Sequence, residues 1–468
     1  MRQAHTVAQV RAAEEQAIAA VGDEALMQRA ATGLAVAVAD ELRRRRGHTY
    51  GTRVLLLVGA GNNGGDALFA GAWLARHGVA VRALPLAEHP HAPGLAALLA
   101  AGGRAVDLPG AVGFDADLLV DGIVGIGGSP GLRPDAQQAV EALAGVPVVA
   151  VDLPSGVAVD TGETPEPHVQ AEVTVTFGTH KVATLVDPAA AACGEVRLVD
   201  IGLVLPDADV EALEAADVAT LLPVPGRASH KYTRGVVGVR AGSRAYPGAA
   251  LLCVAGAASG MAGMVRYVGP DEVDSRVRQR FPEVVGAGRV QAWAVGSGGD
   301  DEAAAALAAA LGDDVPVVVD ADALRHLHHR RGPSGLVLTP HAGELAALLG
   351  EPRGEVEGAP LRHARDAARR WGAVVLLKGP RTLVADPGGR VRVNSTGTPW
   401  LATAGAGDVL TGLVGALLAS GLDPFDAASV GAWLHGAAAS RAGRGGPLVA
   451  SDVAHALPEI VGALASEV

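Results

Sequence analysis

Lysine is nearly absent from this chain: three residues among 38 basic ones in 468. Where any cation serves, arginine stands instead. The three that remain, Lys181, Lys231 and Lys378, therefore mark positions where a compact ammonium fits and a wide planar guanidinium does not. All lie in glycine-flanked loops, where binding and catalysis concentrate. Asparagine is as scarce, with only Asn62, Asn63 and Asn394. Two cysteines, Cys193 and Cys253, sit among apolar or small residues in different halves of the chain. That excludes a disulfide framework, and both read as buried thiols. Net positive charge is lacking too: the formal balance is −12, which argues against a general nucleic-acid binder or an anionic-membrane binder. No long apolar run is present. The Ala-rich stretches are interrupted too often to span a bilayer, and residues 1–11 hold no apolar core of a secretory signal. A soluble cytoplasmic protein is expected.

A chain of this length exceeds what one hydrophobic core fills, so two or three domains are expected, and 49% hydrophobic residues can fill them. Apolar runs of strand length alternate with Ala/Leu segments of helical period, the pattern of parallel α/β sheets. A helical opening at about 7–46 leads to strands at 54–58, 118–120, 148–151 and 173–176. A second block has strands at 236–239, 292–295, 317–319, 336–338 and 374–377, then helices from 405 to 468. Between the blocks, Pro206, Pro223 and Pro225 with acidic neighbours mark a linker. The expected organisation is a domain over 1–205, a linker over 206–226 and a domain over 227–468. The run Arg43 to Arg46 fits the negative end of a helix dipole. His326, His328 and His329, with Arg330 and Arg331, would point to different helix faces without a carboxylate or thiolate, so no metal site is expected there.

In the first block a glycine-rich turn, Gly59-Ala60-Gly61-Asn62-Asn63-Gly64-Gly65-Asp66, follows a strand and opens a helix. Glycines let the backbone approach a ligand, and helix N–H groups face an anion. The Asn pair and Asp66 add oxygens for a monovalent cation or a ribose. Asp121 and Asp152 end two further strands, and Lys181 follows a third. Ligands of open α/β sheets bind at these carboxyl ends, so the groups should converge.

These motifs, with Asp152-Leu153-Pro154-Ser155-Gly156, resemble the NAD(P)H-hydrate epimerase family over residues 1–205. The resemblance implies a Rossmann-like three-layer domain. It implies a potassium ion held by Asn63, Asp121 and Ser155. It also implies a hydrate site lined by Asn62, Asn63, Gly64, Gly65, Asp66, Gly125, Ile126, Gly127, Gly128, Ser129, Pro130, Gly131 and Asp152. Ala67 stands where the family has glycine, a change a helical position tolerates. Epimerising a carbon that bears a hydroxyl beside the ring nitrogen needs acid/base groups, and Asp121, Asp152 and Lys181 are the candidates, their individual roles left open.

In the second block Thr403-Ala404-Gly405-Ala406-Gly407-Asp408 opens a long helix, whose N–H groups can hold a phosphate while Asp408 acts as a base. Lys378-Gly379-Pro380-Arg381-Thr382 supplies a cation and a loop for nucleotide phosphates. His341, beside Glu344 at another helix start, reads equally well as structural or functional. With Asp320-Ala321-Asp322-Ala323-Leu324 these motifs resemble the ribokinase-like superfamily over about 225–465, and within it the ADP/ATP-dependent NAD(P)H-hydrate dehydratases. The resemblance implies a three-layer α/β/α domain. It places Lys378, Gly379, Pro380, Arg381, Thr382 and Gly407 on the adenine nucleotide, and Ala249, Gly298, His341 and Asp408 on the hydrate. Ser297 and Asp300 depart from the family's Gly-Pro-Gly-Leu-Gly turn, which puts Gly298 in doubt.

The expected protein is an α/β isomerase–lyase with catalytic Asp121, Asp152, Lys181 and Asp408, acting on NADHX and NADPHX. K+ serves the first domain; Mg2+ with ADP or ATP serves the second. A homo-oligomer that binds neither nucleic acid nor membrane is expected. The competing reading is a ribokinase-like small-molecule kinase fused to a non-catalytic nucleotide-binding module.

Overall fold

The computed structural model describes residues 1–327 and 335–466, in two compact units: Gln3–Ala208, and Asp209–Val468 with Met1 and Arg2. The expected histidine cluster at His328 and His329, with Arg330 and Arg331, lies outside the described residues.

In the first unit the strand Arg53–Val58 shows why three layers form. Val54, Leu56 and Val58 join one core with the helices Asp23–Arg46, Asn62–Arg76 and Ala92–Ala100, while Leu55 and Leu57 join another with Leu108–Val112 and Pro134–Ala142. Both faces are covered, so every residue from 54 to 58 is buried, as parallel strands require. The all-parallel sheet runs Arg104–Ala105, Ala80–Pro85, Arg53–Val58, Leu118–Gly122, Val148–Val151, Val173–Phe177, Glu195–Val199. The strand order reverses between Arg53–Val58 and Leu118–Gly122. That switch point opens a crevice at the carboxyl edge.

The expected helical opening is two helices, Val7–Val21 and Asp23–Arg46, broken at Gly22. Gly22 has φ +86°, which ends the first helix. The arginines at 43–46 do occupy the last turn of the second, where Arg44 and Arg45 pair with the buried Glu41.

The second unit carries strands in the order Met264–Tyr267, Val236–Arg240, Ala292–Val295, Val317–Val319, Leu336–Leu338, Val374–Leu377, Thr382–Ala385, Val391–Asn394, Val210–Ala212. The first six are parallel. Thr382–Ala385 is antiparallel to both of its neighbours, a departure from the expected all-parallel pattern. A short loop at 378–381 can join only antiparallel strands, because a parallel pair needs a long crossover. The stretch expected as a linker, 206–226, carries structure of this unit: Val210–Ala212 pairs with Val391–Asn394, and Ala215–Leu221 is a helix whose Val218 is fully buried. Apolar residues at 210, 212, 218 and 219 bury in its core despite the flanking prolines.

Helix Ala406–Ala419 is the axis of this unit's core, packed against Pro247–Ala257. A Cβ on Gly412 would lie 1.9 Å from the Cys253 carbonyl oxygen, and one on Gly256 would lie 2.0 Å from that of Val409. Only glycine at both positions lets the backbones touch, and that contact fixes the start of the axial helix. Gly412→Ala should destabilise this unit by about 1–3 kcal/mol or more, as overpacking does, and so lower its denaturant midpoint. An unchanged midpoint in a urea titration would mean the helices can separate without cost.

Candidate active sites

At the switch point of the first unit lies a cavity of about 570 Å3. Of the expected binding residues, Asn62, Asn63, Asp66, Gly125, Ile126, Gly127, Gly128, Ser129, Gly131 and Asp152 line it. Gly64 and Gly65 are buried in the first turn of helix Asn62–Arg76, and Pro130 is exposed outside the lining. The two loops interlock: a Cβ on Gly125 would lie 2.3 Å from Asn63 Oδ1. Asn63 Nδ2 donates to the Val151 carbonyl at 2.6 Å, tying the turn to a neighbouring strand end.

Asp152 enters the cavity from the end of strand Val148–Val151 with φ +65°, a conformation few residues other than glycine, Asn and Asp adopt. Its Oδ1 accepts from Lys181 Nζ at 2.5 Å, from the Thr176 hydroxyl at 3.0 Å and from the Phe177 amide at 3.3 Å. Lys181 is 1% exposed, and its ammonium also donates to Thr176 Oγ1 and the Phe177 carbonyl, so each of its three protons has an acceptor. Lys181 stands behind Asp152 and does not line the cavity.

Asp121 is also set back. It is wholly buried, with Ser155 N donating to Oδ2 at 2.8 Å, Ser155 Oγ to Oδ1 at 2.7 Å and Ile123 N to Oδ1 at 3.3 Å. Burial outweighs these bonds and pushes its carboxyl up to about 6. Among the described residues no cationic side chain pairs with it. The sequence reading missed Arg11, Glu14 and Asp23, which line the cavity from the two N-terminal helices. Burial, then the charge of Asp152, raises the Glu14 carboxyl. No motif marks these positions, since they reach the site only through packing.

In the second unit the expected residues meet at the carboxyl edge of the parallel strands. Lys378 follows Val374–Leu377, and its Nζ donates to Asp320 Oδ1 at 2.8 Å and lies 3.7 Å from Glu344 Oε2. A Cβ on Gly407 would lie 3.3 Å from that Nζ, so the lysine sits against the start of helix Ala406–Ala419. Burial alone would lower the ammonium, but Asp320, Glu344 and Asp408 outweigh it and hold it above its ordinary value. Asp320 is 1% exposed and also accepts from Ser297 Oγ at 3.2 Å and Thr339 Oγ1 at 2.9 Å. Asp408 stands in the first helical turn. Burial, then the negative charge of Asp320, pushes its carboxyl up to about 7, against the opposing effects of a Ser297 hydrogen bond and Lys378.

Gly298 has φ +58°, and its missing Cβ would lie 2.6 Å from that of Ala249, so these two expected contacts adjoin. His341 is more than half exposed and caps helix Ala342–Leu349: its Nδ1 accepts from Glu344 N at 3.1 Å, and Glu344 Oε2 accepts from His341 N at 2.8 Å. Lys378 N donates to the Pro340 carbonyl at 2.8 Å, which places the cap beside the lysine. Ser297, Asp320, Thr339 and Glu344 were given no role from sequence. Asp320 ends its strand as Asp121 and Asp152 end theirs, a signal that could have marked it. Lys231 is exposed over the Tyr232 ring at 5.2 Å, so scarcity marked two strand-end, ion-paired lysines of three.

Two α/β units, each with a lysine–aspartate ion pair at the carboxyl edge of its parallel strands, are the architecture of a two-domain α/β enzyme, its second domain of ribokinase-like fold. The fold accords with a ribokinase-like superfamily protein from Enterococcus faecalis, 22% identical, TM-score 0.51, covering 56% of this chain and 99% of that one. Residues 23–183 match the family model of the YjeF-related protein N-terminus, and residues 237–458 match that of NAD(P)H-hydrate dehydratase. The chain is 50% identical over 448 residues, 92% of each chain, to the bifunctional NAD(P)H-hydrate repair enzyme of Mycobacterium tuberculosis. It is 48% identical over 459 residues, 94% of each, to that of Mycobacterium leprae. An ADP/ATP-dependent NAD(P)H-hydrate dehydratase from Bacillus subtilis, co-crystallised with ATP and Mg2+, is 30% identical with TM-score 0.51, over 55% of this chain and 99% of that one. The chain belongs to the family of bifunctional NAD(P)H-hydrate repair enzymes. Among the described residues, no helix is long and apolar enough to cross a membrane.

The Lys181–Asp152 pair carries a stability consequence. Lys181→Met should cost about 3–5 kcal/mol by leaving a buried carboxylate unpaired, and Asp152→Asn in the same chain should recover much of it. Equal losses in the single and double variants, measured by chemical denaturation, would contradict the pairing.

Proposed function

We propose that the first unit epimerises the R and S hydrates of NADH and NADPH, and that the second dehydrates the S form at the expense of ADP or ATP. The observation that carries this reading is that one chain holds both a strand-end carboxylate backed by a buried lysine at a cavity and a helix-start aspartate beside a second lysine. In the second unit Lys378 and the backbone amides at 405–408 bind the nucleotide phosphates, with 379–382 beside them. Asp408 takes the proton of the ring hydroxyl as the terminal phosphoryl moves onto it. Phosphate then leaves as the ring-nitrogen lone pair forms a carbon–nitrogen double bond, and the adjacent ring carbon gives a proton to water to restore the ring double bond, so nucleotide cleavage drives the dehydration. Mg2+ would neutralise phosphate charge. Among the described residues no three His, Cys, Asp or Glu side chains converge to hold a metal, so it would arrive with the nucleotide. Ala249, Gly298 and His341 would face the hydrate.

In the first unit Asp152, held by Lys181, faces the substrate as an acid/base group, while Asn63 and the 125–131 loop hold it. Asp121, Ser155 and Asn63 suit a potassium ion. Their side-chain oxygens can serve as donors, and among the described residues Asp121 is a buried carboxylate without a cationic side-chain partner. The ion would supply the missing positive charge and fix the strand ends that shape the cavity. KCl should therefore raise the melting temperature of the wild-type chain above that in LiCl, and Asp121→Asn should remove the difference. Equal melting temperatures in the two salts would argue against the assignment.

Asp408→Asn should lower dehydration at least 100-fold and leave epimerisation intact, since base catalysis contributes about that much. The wild-type dehydration rate should climb as pH rises through about 7, because the base works only when ionised and burial holds its proton to about that pH. Epimer ratios by chromatography and a pH–rate series check both. Loss of both activities together, or a stable phosphorylated product, would overturn the division of labour.

A further inference from the structure

One group in the epimerase cavity has no task in the scheme above. Asp66 lines the cavity from the first turn of helix Asn62–Arg76, is only 6% exposed, and has its Oδ1 buried without a hydrogen-bond partner. The charged groups around it are predominantly acidic: Glu14 and Asp23 on the N-terminal helices and Asp152 at the strand end, with Arg11 and Arg133 also lining the cavity. Burial first, then the charges of Asp152, Glu14 and Asp23, holds its carboxyl well above the usual carboxylate range. Asp152 is the opposite case, an anion in an ion pair with Lys181. Two carboxyl groups in one cavity, one driven toward its acid form and one held as an anion, are the arrangement by which acid and base roles divide.

We propose that Asp66 is the general acid of the epimerase, giving its proton to the ring hydroxyl, with Asp152 the base that activates the returning water. The assignment rests on the epimerase reading. The Asp66 proton goes to the hydroxyl oxygen, the carbon–oxygen bond breaks, and water leaves as the ring-nitrogen lone pair forms a carbon–nitrogen double bond. Water at the opposite face then bonds to that carbon, yields a proton to Asp152, and the lone pair returns to nitrogen. The carbon has inverted, Asp66 is ionised and Asp152 protonated. The other epimer runs the same steps in reverse, and exchange with solvent water resets the pair.

The test uses the full chain without nucleotide, so that dehydration is silent, and follows the approach of separated R and S hydrates to equilibrium. Asp66→Asn keeps shape and neutrality, so it should lower kcat at least 100-fold while KM moves by less than about threefold. Wild-type kcat should fall as pH rises and Asp66 loses its proton, and the residual activity of the variant should lack that limb. Asp66→Ala should regain part of the rate on addition of acetate, which a structural role would not give. An active wild type whose Asp66→Asn variant keeps its kcat, or changes only in KM, would overturn the assignment alone. A wild type that does not epimerise would overturn the epimerase reading as well.

Discussion

A lysine and an aspartate, ion-paired at the carboxyl edge of parallel strands, anchor each unit, the first pair buried and the second with its lysine partly exposed. Taking two charges out of water costs several kcal/mol per ion, and their attraction offsets this only when the remaining protons and lone pairs also find partners. Lys181 meets that condition, with Asp152, Thr176 and Phe177 accepting its three protons. Around Asp320 the same condition is met from the other side, by Lys378, Ser297 and Thr339. At Lys181 the ammonium is buried and each of its three protons has an acceptor, an environment that suits a compact point charge better than a planar guanidinium fork.

Each pair adds to what burial does to a second carboxyl group. Burial, and after it the negative charge of Asp320 held against Lys378, carries the Asp408 carboxyl to about 7, where it can accept a proton at neutral pH. Asp152, held against Lys181, acts likewise on Asp66. The glycines set the distances. Gly407 lets Lys378 reach the axial helix, and Gly125 admits the Asn63 amide between two loops.

The sheets and strand-end groups were legible in the sequence because buried parallel strands are continuous apolar runs and their exits are marked by Gly and Asp. Strands at 292–295, 317–319, 336–338 and 374–377 lie where the runs lie. The hairpin partners Thr382–Ala385 and Val391–Asn394 were not found: the first holds an apolar run of only three residues, and the second alternates its valines with Arg392 and Asn394. Prolines concealed the ordered stretch at 210–221, where four small apolar contacts outweigh the local turn signals. Glu14 and Arg11 were illegible for a different reason: nothing in a helix sequence states which cavity its polar side chains will border. Burial also separated residues that had looked equivalent, placing Asp152 in the cavity and Asp121 and Lys181 behind it.

The central claim is that one chain carries both chemistries, so the most direct measurement is recovery of reduced-nicotinamide absorbance from a mixture of R and S hydrates given purified protein, K+, Mg2+ and ADP or ATP. The account predicts nucleotide-dependent recovery of the whole mixture, with the R fraction following at an enzyme-catalysed rate. Recovery that halts at the S fraction, leaving R to epimerise only spontaneously, would contradict it.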